Sequence, residues 1–323
     1  MSARSKPGPS LYEQPQSLPA DLTGEILNGQ LYYRGGPLMT QPQHPTGLIG
    51  PGTQPPEPDG TALDYVPMPK EMATYQPPRL PEPEDLAACG PALALLERLQ
   101  AALAAHRVGD TPVVIHLSDL DTANRALLDQ TLGDGEISAL ITGPSAARIQ
   151  ETRLAGAWRV RSIGPPGALE PDSLEVAELP GLIGAQAFRG ALSAAPIPDP
   201  LPEGVMNAPS VLVEINAQVA MHHPGDLPHV VNLTLLPQTE QDLALLDQAL
   251  GQGPVTVLSR GYGNCRVSTA AVRNVWWVRH FNSEDRLILN TIEVTSAPAA
   301  ILAAQEDIDD SAARLAEILG TLR

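Results

Sequence analysis

The sequence predicts an α+β fold built twice: two tandem homologous lobes, each a mostly antiparallel sheet flanked by helices, behind a proline-rich extended N-terminal arm. Three observations carry that prediction. The phrase ALLDQTLGDGEISALI at 126–141 returns as ALLDQALGQGPVTVLS at 244–259. In each copy a helix-like stretch is followed by several short strand-like runs, alternating or continuously apolar. And 17 of the 34 prolines fall within residues 1–85, where fixed φ angles and missing donors oppose regular structure. The expected division is an arm at 1–85, a first repeat at 86–195, a linker at 196–208 and a second repeat at 209–323.

Within the arm, GQLYYRGG at 29–36 is a candidate sticky place, with Tyr32 and Tyr33 able to dock onto the body or a partner. From Asp85 the pattern becomes globular. Leu93, Leu96, Leu99 and Leu103 repeat at helical spacing. TPVVIHL reads as a buried strand. DLDTANRALLDQTLG reads as a helix capped by Asp121 or Thr122, with Leu127, Leu128 and Leu132 inward and Gly133 at its end. GEISALIT, RIQETRLAGAWRVRSI and DSLEVAEL read as strands, with Gly156 as a bulge or turn. GLIGAQAFRGAL is a short helix. After the linker the order recurs: PSVLVEINAQVAM as helix, HVVNLTLL as strand, and TEQDLALLDQALG as a helix capped by Thr239. GPVTVLSR, CRVSTAAVRNVWWVRHF and DRLILNTIEVTS follow as strands, then a closing helix over about 298–322.

Sliding the chain by 118 aligns 126–163 with 244–281 without a gap. That is far beyond a solenoid period, so two homologous domains are implied rather than an array. Gly133 and Gly135 match Gly251 and Gly253, a helix–Gly–x–Gly–strand corner in which glycine takes a left-handed conformation cheaply. Asp129 and Asp247 match where a side chain can bond the following turn. Trp158 and Trp276 match as core anchors, each burying roughly 150–250 Å². Arg148 matches Arg266, and Arg161 matches Arg279. All of these read as structural positions. The copies differ where ITGPSAARIQ becomes SRGYGNCRVS, placing Tyr262, Asn264 and Cys265 beside Arg266, and where the second copy doubles its tryptophan. Adjacent strand residues face opposite ways, so a buried Trp276 turns Trp277 outward, as a binding anchor unless a helix or the arm covers it. Tyr262, Asn264, Cys265, Arg266 and Trp277, with Tyr32 and Tyr33, are the candidate partner contacts.

Composition narrows the function. The formal net charge is −17 and the pI about 4.7, so phosphate backbones are repelled and nucleic acid is an unsuitable partner. Two cysteines make neither a disulfide framework nor a four-thiolate site. MSARSKPGPSLYEQ lacks the apolar run of a secretory signal, and nothing approaches the ~20 apolar residues of a membrane helix, so a cytoplasmic location is expected. His222, His223, Asp226 and His229 match no strong metal template, GYGNC lacks the Gly-Lys-Ser/Thr ending of a phosphate loop, and Cys265 has no identifiable base. No catalytic set, cofactor or metal is expected.

Several stretches together, among them LIGPGTQPPEPDG, IQETRLAGAWRVR, HVVNLTLLPQTEQDLALLDQALGQGPVTVLSRGYGNCRVSTAAVRNVWWVRHFNSEDRLILNTIEV and AAQEDIDDSAARLAEIL, resemble the HupH/HyaF family of nickel–iron hydrogenase expression/formation proteins. The resemblance covers roughly residues 46–323. It implies a non-catalytic cytoplasmic maturation factor, a chaperone for the iron–sulfur small subunit of an uptake hydrogenase. Its twin-arginine signal region is a candidate contact, and a thioredoxin-like protein a candidate companion. The competing expectation is a scaffold or carrier of metal or cofactor working through Cys265 and the histidines. A cleft between the two lobes is the expected place for a client.

Overall fold

The computed structural model describes residues 26–27, 30–31, 89–117, 120–164, 171–260 and 264–322. The chain divides into two units, Met1–Pro55 and Pro56–Arg323. In the first, β1 (Ile26–Leu27) pairs antiparallel with β2 (Gln30–Leu31). The rest of the predicted arm, including Tyr32 and Tyr33, lies outside the described residues.

In the second unit the elements run α1 (Gly90–Ala105), β3 (Val113–His116), α2 (Thr122–Leu132), β4 (Ile137–Ile141), β5 (Ala147–Glu151), β6 (Ala157–Ser162), β7 (Asp172–Val176) and α3 (Gly181–Gln186). The second copy supplies α4 (Ala208–Met221), β8 (His229–Asn232), α5 (Glu240–Leu250), β9 (Val255–Ser259), β10 (Asn264–Thr269), β11 (Val275–Phe281) and β12 (Leu287–Val294), then a 3₁₀ turn at Ala299–Ile301 and α6 (Gln305–Thr321). The stretch CRVSTAAVRNVWWVRHF, expected as one strand, is a hairpin. Asn274 makes its turn at φ 61°, in the left-handed region that asparagine tolerates better than most residues. Gly156, at φ 78°, holds the same position in the first copy.

The ten strands β3–β12 form one antiparallel sheet in the order β3-β7-β6-β5-β4-β9-β10-β11-β12-β8. Each copy contributes five strands in the same order, and the copies meet where β4 pairs with β9. At that junction Ala139 lies opposite Val257, its own counterpart 118 positions on, so a pseudo-two-fold axis passes between them. The expected cleft between the two lobes is therefore corrected. The repeats are real, but their inner strands hydrogen-bond to each other, and no cleft separates the sheets.

Both faces of the sheet are covered in part. On one face, Trp158, Trp276, Ile149, Val257, Val267 and Val278 build a central core capped by Ile183 of α3 and Ile301 of the 3₁₀ turn. Trp158 Nε1 donates to Ala177 O at 2.9 Å and Trp276 Nε1 to Thr295 O at 3.2 Å, so each buried indole also has its polar atom satisfied. On the opposite face the helices sit over the outer strands. Leu96, Leu99 and Leu103 of α1 and Leu127 and Leu128 of α2 pack on Ile115 and Leu174. Leu212 and Ile215 of α4 and Leu245 and Leu246 of α5 pack on Val231 and Ile292.

The closing helix crosses over. Ile308, Ala312, Leu315 and Leu319 of α6 join the core of the first repeat. The stretch 118 positions earlier, 187–203, carries prolines at 196, 198, 200 and 202 and cannot be a helix. It reaches the second repeat as a strap instead. Ala195 is buried there, its N–H donating to Asn216 Oδ1 at 2.7 Å and its carbonyl accepting from Asn216 Nδ2 at 2.9 Å.

One carboxyl in this framework is held in a costly place. Burial pushes the Glu151 carboxyl up to about 7, against the pull of backbone N–H groups at Ile137 and Gly156, with Glu136 and Asp307 adding repulsion. Its counterpart Thr269 makes the same link, accepting from Val255 N at 3.1 Å, with no charge. The raised folded pKa means the native state holds a proton that the unfolded chain releases. Stability therefore falls as pH rises from about 4.5 to about 7, by up to about 3 kcal/mol. Glu151→Gln is expected to stabilise the chain by about 2–3 kcal/mol at pH 8 and to leave it unchanged or weaker at pH 4.5, read by urea unfolding. An equal effect at both pH values would show that Glu151 does not titrate with folding.

Candidate functional site

The predicted contacts gather around β10 and β11, but the pleat divides them. Asn264 and Arg266 point to the helix-bearing face and Cys265 to the central core on the other. Asn264 Nδ2 donates to Asp285 Oδ1 at 3.1 Å. Cys265 is 7% exposed and lies 3.8 Å from His280 Nε2. Burial, with help from Glu293, pushes its thiol up to about 11, so at neutral pH it is a packed thiol and not a thiolate nucleophile or metal ligand. Tyr262 lies outside the described residues.

Trp277 does turn away from Trp276, yet it is 6% exposed. The outward anchor is corrected: helices α4 and α5 cover this face of the outer strands, and Trp277 packs into their core. Its Nε1 donates to Asn290 Oδ1 at 2.5 Å, and the Arg279 guanidinium stands 4.3 Å from its ring centroid. The first repeat shows what Trp277 replaces. At the matching position Arg159 donates to Asp172, at 2.9 Å from Nε and 2.7 Å from a terminal nitrogen, and also pairs with Asp129. Arg125 reaches the same Asp172 at 3.3 Å. Asp172 corresponds to Asn290, so an arginine–aspartate pair in one copy is a tryptophan–asparagine pair in the other. Sequence reasoning passed over Asp172 and Asn290; the 118-residue offset read one strand further would have linked both exchanges.

The structural positions resolve similarly. Gly133 and Gly251 combine φ 56° and 60° with extended ψ, a region essentially restricted to glycine rather than the left-handed helical one expected. A side chain at Gly135 would strike the Thr152 carbonyl, and one at Gly253 the Thr269 hydroxyl and the Ala270 carbonyl. The Asp129 and Asp247 carbonyls accept from Gly133 and Gly251, both at 2.9 Å, while the Asp129 side chain serves Arg159 and not the following turn.

A pair of positions missed in the sequence ties helices together in both copies. Asn124 Oδ1 accepts from Ala92 N at 2.8 Å. Its counterpart, the fully buried Asp242, accepts from the N–H groups of Met206, Asn207 and Ala208 on Oδ1 and of Thr239 on Oδ2. Burial raises its pKa, but these N–H groups outweigh burial and hold it at about 2.

The histidines sit elsewhere. His222 and His229 line a shallow cavity of about 100 Å³ with Gln218, Met221, Asp226, Leu227 and Val294. His229 Nε2 meets Glu214 Oε1 at 2.8 Å, His222 Nε2 meets Ser296 Oγ at 3.3 Å, and the His223 ring faces Asp226 at 3.7 Å. Cys265 does not join them, so the set invoked for a carrier is not assembled. Among the described residues no group of three or more His, Cys, Asp or Glu is gathered as a metal would require, and no helix is long and apolar enough to cross a membrane.

Comparison with known proteins agrees with the internal duplication. The model of the HupH hydrogenase expression protein C-terminal conserved region matches twice, over residues 90–196 and 205–322. The chain is 49% identical over 287 residues to the hydrogenase expression/formation protein HupQ of Azotobacter chroococcum, covering 87% of this chain and 98% of that one. It is 46% identical over 275 residues to HoxQ of Cupriavidus necator, with coverages of 85% and 96%, and 32% identical over 275 residues to the hydrogenase-1 operon protein HyaF of Escherichia coli, with coverages of 84% and 94%. With one family model fitted to each half and near-full-length relatives at these identities, the chain belongs to the family of HupH hydrogenase expression proteins.

Proposed function

We propose that this protein is a maturation factor for a nickel–iron hydrogenase, working in the cytoplasm as a non-catalytic chaperone that binds the iron–sulfur small subunit before it is assembled and exported. The observation that carries the reading is the double family match, which spans both repeats. Relatives of nearly the same length are named for hydrogenase expression and formation. The site supports a binding role over a chemical one. Its one thiol is buried and protonated, its tryptophans are packed, and its histidines are spread over separate partners. An acidic chain suits a client whose export signal is cationic. A thioredoxin-like companion belongs to the same proposal.

Affinity capture of the tagged full chain from cells expressing an uptake hydrogenase tests this. The small-subunit precursor is expected in the eluate and the mature exported form is not. Recovery of the large subunit without the small one would overturn the assignment.

A further inference from the structure

Among the described residues the ten-stranded sheet ends at β8, which pairs only with β12. Leu233 N donates to Asn290 O at 2.9 Å, and hydrogen-bonded and non-bonded pairs alternate along an antiparallel ladder. His229 and Val231 therefore bond to β12, while Val230 and Asn232 turn their backbone groups away from it, to the edge. The Asn232 carbonyl accepts from Leu235 N in the following turn. That leaves the Val230 N–H, the Val230 carbonyl and the Asn232 N–H on the outer side, with Pro228, which has no N–H, ending the edge at its start. A free strand edge is a template for another strand, and proteins ordinarily blunt it with lysine. Here apolar side chains flank it instead: Leu227 is 91% exposed, Val230 47% and Leu235 80%.

The charge around this edge has one sign. Residues 190–259 contain seven carboxylates and no lysine or arginine. Glu214, which meets His229 of β8, and Asp226, which precedes the edge, are both exposed. Glu293 of β12 lies directly across from Val230 and so shares its face. Burial raises its carboxyl above the ordinary range, and a cation set beside it would favour the charged form. A second copy of this chain, paired edge to edge, would bring the same acids against each other. The opposite edge of the sheet differs: Arg107 precedes β3, and Arg125 donates to Leu117 O at its end, at 2.9 Å.

We propose that the β8 edge receives an extended segment of a partner protein, alternately basic and apolar, as an added antiparallel strand. Main-chain bonds to Val230 and Asn232 supply affinity, and the carboxylates select a basic segment over an acidic one. Side chains of a strand alternate between its two faces. The basic residues of the segment lie opposite Val230, on the Glu293 face. Its apolar residues lie on the other face, where Met221, Leu227 and His229 line the cavity at the start of the edge. Capture of the small-subunit precursor reports on the client and the peptide experiment reports on the edge, so each can fail without the other.

The test uses fluorescence anisotropy with the full chain at about 0.15 M salt, where surface charges more than about 8 Å away are screened. The probe is a fluorescein-labelled peptide of about eight residues, alternating Lys and Val. Its Glu/Val counterpart and a Lys/Val copy methylated on the lysine backbone nitrogens are the controls. The Lys/Val peptide is expected to bind about tenfold more tightly than either control, because one lacks the charge and the other the main-chain donors. Leu227→Lys with Val230→Lys, both at exposed positions, should weaken binding about tenfold, while Val114→Lys on β3 stays within about twofold. In the parent chain the peptide should slow hydrogen exchange at 229–232 and leave 113–116 unchanged. If the double variant melts below the parent, the exchange result decides. No binding of the Lys/Val peptide by the parent chain overturns the proposal, whether the edge is idle or already filled from within the chain. So does equal binding of either control, unchanged binding by a double variant that melts like the parent, or exchange slowed at 113–116 and not at 229–232.

Discussion

Asp242→Ala is expected to cost about 3–4 kcal/mol of folding stability, because it strands several buried donors at once. The carboxylate receives the first N–H groups of α4 and the N–H of Thr239, while Thr239 Oγ1 accepts from the Asp242 N–H in return, at 3.0 Å. Removing the side chain leaves the start of α4 uncapped and detaches it from α5. Asp242→Asn keeps one carbonyl oxygen, as Asn124 does in the first repeat, and should lose only about half as much. The two variants also separate in acid. The depressed folded pKa means Asp242 contributes stability that is present above about pH 4. That contribution, about 2 kcal/mol, is lost as pH falls toward about 2. Urea unfolding at pH 7 and pH 3 reads both effects. A loss under 1 kcal/mol for Asp242→Ala would mean that the helix junction does not depend on this carboxylate.

Trp276→Ala should be the most damaging single substitution in the central core, at about 4–5 kcal/mol. The ring is fully buried, meets Phe188 edge-on with centroids 5.4 Å apart, and leaves the Thr295 carbonyl without its donor when removed. Trp277→Ala is expected to cost nearly as much, through the α4/α5 core and the orphaned Asn290. That result would separate a packed tryptophan from a contact residue. A variant that lost client binding while melting like the parent would instead make Trp277 an exposed anchor.

The tryptophan pair shows where the sequence is legible and where it stops. Strand alternation correctly turns Trp276 and Trp277 to opposite faces, but alternation says nothing of what lies over each face. Here both are covered, one by α3 and the 3₁₀ turn and the other by α4. The duplication was plain because two copies of one phrase keep the same helix, corner and strand. The β4–β9 junction was not, since pairing between five-residue strands distant in sequence leaves no local mark. Helix α6 was readable as a helix from Ile308, Leu315 and Leu319; its crossing to the first repeat depends on a core that only the assembled sheet provides. The glycine corner was placed correctly and given the wrong backbone region, because the spacing of Gly133 and Gly135 specifies a tight approach without specifying ψ. Asp242 lies in the first turn of α5. Its three bonds to α4 require knowing where α4 lies.

All of this rests on the two repeats sharing one sheet through β4 and β9. Hydrogen exchange followed by mass spectrometry on the native full chain reads that directly, since interior strands exchange only on larger openings than edge strands do. Segments 137–141 and 255–259 should rank among the slowest, well behind the outer strands at 113–116 and 229–232. If 137–141 and 255–259 exchanged as fast as those outer strands, they would be free edges, and the repeats would be separate sheets.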